Sequence, residues 1–344
     1  MSATDELAKL WKKGTDFLGC KYAIMGGAMS WVSERNLVSA ISNAGGFGVI
    51  ACGAMTPELL ENEIKETQKL TDKPFGVNLI TMHPDLDKLV EICGKLGVTH
   101  VVLAGGLPKG TTIARIKELG AKTICFAPAT ILVKKLVRSG ADAIVIEGHE
   151  AGGHIGPVST SVLAQEILPF VNENFPEIPV FVAGGIGRGE PIVSYLKMGA
   201  SGVQLGTRFV CAHESIAHEN FKKLFIKSGA KDAAVSVQID PDLPVIPVRA
   251  IVNKATKEFE QVQRDVSAEL KAGKVEKDAA QLKVEHYWAG ALRKAVIDGD
   301  VETGSVMAGQ CVGVVTKEQP TQEIIDELIS QAESFIENSY SKAV

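Results

Sequence analysis

The chain is short of the features that mark several protein classes. No run in its 344 residues approaches the roughly 20 consecutive apolar residues that a membrane-crossing helix needs, so no membrane partner is expected. Basic charge is not in surplus. Lys and Arg number 36 against 41 Asp and Glu, a net charge of −5, which leaves no electrostatic reason to expect nucleic acid. The opening Met1-Ser2-Ala3-Thr4-Asp5-Glu6 is acidic and has neither the basic nor the apolar region of a signal peptide, so the expected location is cytoplasmic. Cysteine is sparse and scattered, at 20, 52, 93, 125, 211 and 311, without a C-x-x-C pair. That pattern reads as small core residues in a reducing compartment, not a disulfide frame. No His, Cys and carboxylate spacing argues for a metal. Ser159, Thr160 and Ser161 lack an acid-base arrangement, which argues against serine hydrolase chemistry.

Glycine, by contrast, is abundant, with 34 residues, and its placement is informative. Short apolar runs alternate with helical stretches along the first 212 residues. Candidate strands are Tyr22–Met25, Gly45–Ile50, Pro74–Ile80, His100–Leu103, Lys122–Phe126, Ala141–Ile146, Pro179–Ala183 and Gly202–Leu205. Eight strands alternating with helices are the signature of a (β/α)₈ TIM barrel, an α/β fold. The rival is an open doubly wound sheet, which needs a reversal of strand order that sequence does not reveal. Residues 1–19 read as one amphipathic helix, and 213–227 fit the eighth barrel helix. We take 1–212 as the barrel, completed by about 305–344, and 213–304 as a mostly helical, substrate-selecting cap.

Most of the paired glycines follow strands. Gly26-Gly27, Gly105-Gly106, Gly152-Gly153, Gly184-Gly185 and the single Gly206 fall after predicted strand ends, on the barrel rim that builds active sites. Turns alone also favour glycine, but five positions on one rim suggest a large flat ligand lying across main chain. Gly184-Gly185-Ile186-Gly187 before a helix, with Gly206-Thr207 after the next strand, fits a phosphate site of backbone amides. A Walker A loop is absent, and so is G-x-G-x-x-G in a strand-first context, so a nicotinamide cofactor would visit without a Rossmann domain. The centre of the pattern is Glu147-Gly148-His149-Glu150-Ala151-Gly152-Gly153-His154-Ile155-Gly156. His154 can exchange a proton near neutral pH. Asn78 and Glu147 end strands and can meet a ligand's hydroxyls or ring edges; a cap or turn role is the alternative. Gln204 fits either barrel filling or a ligand contact.

Taken together, Gly26–Trp31, Pro74–Asn78, Glu147–Gly156, Ala183–Ile186 and Gln204–Phe209 resemble the nitronate monooxygenase (2-nitropropane dioxygenase) family of FMN-dependent barrels. The tail, Val248–Asn253 and Asp298–Gln310, looks most like the enoyl-acyl-carrier-protein reductase II branch. The resemblance implies FMN as cofactor and NAD(P)H as co-substrate, with hydride passing to an enoyl thioester in fatty acid synthesis. The alternatives are oxidation of alkyl nitronates with oxygen and NAD(P)H:quinone reduction. By resemblance, Gly27, Ala28, Met29 and Gly105 flank the isoalloxazine, and Asn78, Glu147 and Gln204 contact FMN. Gly152, Gly153, Gly184, Gly185, Gly206 and Thr207 fall in its binding loops, mostly at the phosphate side, and Met307 and Gln310 close over the ring. His154 corresponds to the active-site histidine. The partners implied are a small-molecule or acyl-thioester substrate and acyl carrier protein, with a homodimer left open. The first loop has Gly-Gly-Ala-Met where Gly-Gly-Met is common, and 239–247 is richer in proline than the reductase branch leads one to expect.

Overall fold

The computed structural model describes residues 2–53 and 55–341. Strands β1 (Ile24–Gly26), β2 (Gly48–Ala51), β3 (Phe75–Ile80), β4 (His100–Ala104), β5 (Lys122–Phe126) and β6 (Ala143–Glu147) form in turn. A two-residue strand, β7 (Gly153–His154), precedes β8 (Val180–Ala183) and β9 (Gly202–Leu205). All but β7 belong to one parallel sheet in the order β1-β9-β8-β6-β5-β4-β3-β2. The ring closes where Gly26 N donates to Phe47 O at 2.8 Å and Phe47 N donates to Ile24 O at 2.9 Å. No strand order reverses, so the fold is a (β/α)₈ barrel and not a doubly wound sheet. The strands are near-continuous apolar runs because both faces of the ring are covered.

The helices follow local signals. Pro57–Leu70 starts with proline in its first turn, and the Thr56 hydroxyl accepts from Leu59 N at 3.4 Å. Two readings need correction. Residues 1–19 are not one helix but two, Ala3–Leu10 and Lys12–Leu18, broken at Trp11, whose ring is buried. The second of them underlies the barrel floor. There Phe17 O meets His100 Nε2 at 3.0 Å and accepts from Lys122 Nζ at 2.7 Å. His100 is thus a satisfied core histidine. The eighth barrel position is not filled by 213–227, of which only Glu219–Lys227 is helical. It is taken by Thr321–Ser341, which packs between Gly189–Lys197 and Arg35–Asn43. Gly189 permits that closeness, since a Cβ there would lie 2.2 Å from Leu328 O.

A second, antiparallel sheet stands over the mouth. It contains β7, β10 (Ala233–Val235), β11 (Val248–Ile251) and β12 (Val306–Met307). The middle strand is β11, with β10 along one edge. Its other edge carries β7 and β12 end to end: Val248 opposes His154, Arg249 opposes Gly153, Ala250 opposes Met307 and Ile251 opposes Val306. Beside it, Lys254–Lys271 and Lys277–Val296 pack as a helical pair. A small core of Leu243, Val248, Phe259, Val266, Val284 and Trp288 joins them, with Phe259 and Trp288 ring centroids 4.1 Å apart. Met307 packs against both this core and the barrel's.

Candidate active site

The carboxyl ends of the barrel strands bring polar groups into one layer. Glu147 is in register with Ala183, and Ala183 with Gln204. In-register residues of parallel strands present the same face, so Glu147 and Gln204 flank the small Ala183 with backbones about 9 to 10 Å apart. Neither side chain has a hydrogen-bond partner among the described residues. Glu147 keeps some accessible surface, but its carboxyl is crowded by protein, and burial pushes it from 4.5 up to about 7. Asn78, buried on β3, donates from Nδ2 to Val102 O at 3.3 Å.

The loops beyond these strands pack backbone against backbone. Gly27 N donates to Leu205 O at 2.8 Å, and a Cβ on Gly27 would meet Gly206 Cα at 3.1 Å. Met29 Sδ lies 3.5 Å from where a Gly206 side chain would begin. Ser33 Oγ fastens this first loop, donating to Gly27 O at 2.8 Å and accepting from Met29 N at 3.0 Å. Trp31, in the same loop, holds a left-handed φ of 66°, the kind of backbone strain that clusters at functional sites. Gly184 and Gly185 have φ of 97° and 73° and sit against Gly148 and Glu150.

A strap from β12 to the turn at Gln310–Val314 closes the other side. Gly309 N donates to Thr207 Oγ1 at 2.9 Å, and Gln310 N donates to Glu150 O at 2.9 Å. A side chain on Gly152 would begin 2.5 Å from Gly309 N, so only glycine fits under the strap. Gly153 faces Met307, whose Sδ is 3.5 Å from the Cβ position. Among the described residues, the amides of Gly185, Gly206 and Thr207 donate no backbone hydrogen bond. Unbonded N–H groups at neighbouring strand ends can cradle an anion. His154, next to Gly153, is exposed and held in the sheet by β11.

Gly27, Met29, Gly152, Gly153, Gly184, Gly185, Gly206, Thr207, Met307 and Gln310 therefore form one neighbourhood, with Ala28 half-buried between two of them. Gly105 lies across the mouth at the end of β4, exposed and packed on Ile80, and among the described residues its Cβ position does not meet that cluster.

The family description "Nitronate monooxygenase" matches residues 12–331. The chain belongs to the nitronate monooxygenase family. Among solved structures it is similar to FabK, an enoyl-acyl-carrier-protein reductase II, from Thermotoga maritima, at 34% identity and TM-score 0.84 over 95% of this chain and 98% of that one. It is 30% identical to a 5-hydroxy-7a-methyl-1-oxo-octahydro-1H-indene-4-carboxyl-CoA dehydrogenase of Mycobacterium tuberculosis, over 94% of this chain and 97% of that protein. A probable nitronate monooxygenase of Staphylococcus aureus is 26% identical over 95% of this chain and 99% of its own length. The chain is an oxidoreductase, in a family whose members are in general flavin-dependent.

A flavin fits this nitronate monooxygenase-family mouth: two polar side chains without partners among the described residues face one layer, and amides unbonded among those residues stand beside them. Several residues that hold the site together were not singled out as site residues by sequence. Glu150 Oε2 accepts from Thr160 N at 2.8 Å and Thr160 Oγ1 at 2.9 Å, so it caps the helix Thr160–Asn174 from inside the site loop. Gly309 and Arg249 were also missed. Glu150 and Arg249 lie in stretches that carry the family resemblance, yet their roles depend on contacts far apart in sequence. Arg208 serves the scaffold, donating from Nη2 to Glu327 on the closing helix at 2.9 Å.

Proposed function

We propose that this chain is an FMN-dependent NAD(P)H oxidoreductase that reduces an enoyl thioester, as an enoyl-acyl-carrier-protein reductase II does. One observation carries the reading: the relatives named above at 30% identity or more, a reductase II and a carboxyl-CoA dehydrogenase, are both thioester oxidoreductases by name. The chemistry supplied by bound FMN is relay of a hydride from NAD(P)H to the β-carbon of the enoyl group. A proton completes the α-carbon, so one NAD(P)H and one proton are consumed per double bond.

The protein's part is placement and exclusion of water. Glu147, Gln204 and Asn78 hold polar edges of the flavin, and Gly27, Ala28, Met29 and Gly105 let its ring approach main chain. Gly152 and Gly153 bring the site loop close. Gly184, Gly185, Gly206 and Thr207 hold the phosphate, and Met307 and Gln310 close the strap over the ring. His154 orients the thioester carbonyl. The acyl group arrives on acyl carrier protein or coenzyme A, in the cytoplasm, without a nucleic acid or membrane partner. The family description and the Staphylococcus relative favour a second reading, oxidation of alkyl nitronates with His154 as base.

Anaerobic mixing of the purified protein with NADH or NADPH, then with a crotonyl thioester, tests the first reading. Bleaching of the yellow band by a nucleotide and its return on adding the thioester are expected. No bleaching, with turnover of alkyl nitronate in air, would transfer the assignment to the second.

A further inference from the structure

We propose that Arg249 is a buried counter-charge that allows the site to hold a flavin phosphate beside the acidic side chain of Glu150. The inference rests on the FMN reading above and adds a charge to what the amide cradle supplies. Arg249 is 3% exposed, yet no carboxylate lies within ion-pair distance of it among the described residues. Its hydrogen bonds go to main-chain carbonyls: Nη1 to Ala233 O at 2.6 Å, and Nε and Nη2 to His149 O at 3.2 and 2.9 Å. Carbonyls solvate a cation without neutralising it, and a buried charge left uncompensated is costly. Burial pushes the guanidinium below its ordinary basicity, and Glu150 is the group acting against that.

The position gives the charge a purpose. Arg249 is in register with Gly153, and the carbonyl it grips belongs to the residue before Glu150. Glu150 Cβ lies 2.9 Å from where a Gly185 side chain would begin. Glu150, Gly185, Gly187, Arg188 and Gln310 line part of a cleft of about 300 Å³. Arg188 stands exposed on its lip, engaged by Glu190 at 2.6 Å. The anion cradle therefore has an acid on its wall and a buried cation behind that acid. At an effective dielectric of about 20, a full charge near a dianion shifts its affinity by about tenfold or more.

The test compares FMN with riboflavin, which lacks the phosphate, by fluorescence quenching on flavin-free protein. Arg249→Met should lower the preference for FMN over riboflavin at least tenfold. Arg249→Lys should keep it within about threefold, and Glu150→Gln should raise it. A purely structural Arg249 would instead weaken both flavins equally, and that result overturns the proposal. If Arg249→Met does not fold, Glu150→Gln still decides: an unchanged or lower preference overturns the counter-charge. A wild-type protein that binds riboflavin and FMN equally also overturns it, whereas one that binds neither defeats the FMN reading itself.

Discussion

Replacing Glu147 with glutamine should make the flavin-free protein more stable at alkaline pH and leave it unchanged in acid. Burial raises the folded-state pKa of this carboxyl to about 7 from an ordinary 4.5. A folded value above the unfolded one means that the native state holds the proton more tightly. Glu147 therefore contributes its full stability below pH 4.5 and loses it as pH rises through about 7. At about 1.4 kcal/mol per pH unit the interval amounts to roughly 3 kcal/mol, a ceiling that solvent at the mouth lowers to about 2 kcal/mol. Glutamine copies the shape of the protonated acid and cannot ionise. Urea unfolding of wild type and Glu147→Gln across the range from acid to pH 8 measures the difference, and other titrating groups cancel in it. The curves should coincide in acid and separate by about 2 kcal/mol near pH 8. Parallel curves at all pH values would refute the argument, because they would mean a carboxylate as well solvated folded as unfolded.

Three further outcomes are expected. His154→Ala should retain FMN and lower turnover by about a hundredfold, the order expected for loss of a group that polarises the thioester carbonyl in the proposed reaction; visible absorbance and steady-state rates read the two separately. Gly152→Ala forces a methyl group to within 2.5 Å of Gly309 N, so it should displace the strap, cost about 1–3 kcal/mol and accelerate FMN release, seen in thermal melts and dilution kinetics. His100 is buried and neutral, its pKa pushed from 6.5 down to about 4 by burial. A depressed folded value means stability in place above 6.5 and lost as pH falls through about 4. His100→Gln should flatten that acid limb in urea titrations.

The barrel was legible because its physics is local. A strand buried on both faces must be apolar throughout, and each connection must turn within a few residues, so Lys122–Phe126 and Gly202–Leu205 could be bounded to the residue. The eighth helix was less so. Phe221 and Phe225 give Glu219–Lys227 a buried face, but Ile324, Ile325, Leu328, Ala332 and Ile336 give Thr321–Ser341 a longer one, and the longer face took the groove. Which of two amphipathic helices wins a slot depends on packing against Gly189, which no periodicity encodes. The small sheet was illegible for a related reason. Two residues, Gly153 and His154, are too few to show alternation, and they become a strand by finding β11 almost a hundred residues later.

That distant pairing ties the site loop to the region that follows the barrel. His154 stands on a strand whose sheet partner belongs to the region that follows the barrel, and Ile155 N donates to Pro247 O at 3.0 Å. The proline-rich segment 239–247 is thus hydrogen-bonded to the residue after the imidazole. The same strand aligns Met307 along its edge, so the histidine and the strap share one support. A change in 239–247 that shifts Pro247 therefore also shifts the strand that carries the imidazole. Under the proposed function, relatives with one barrel then differ in chemistry through the segment over the mouth, which would meet the substrate and also supports the imidazole.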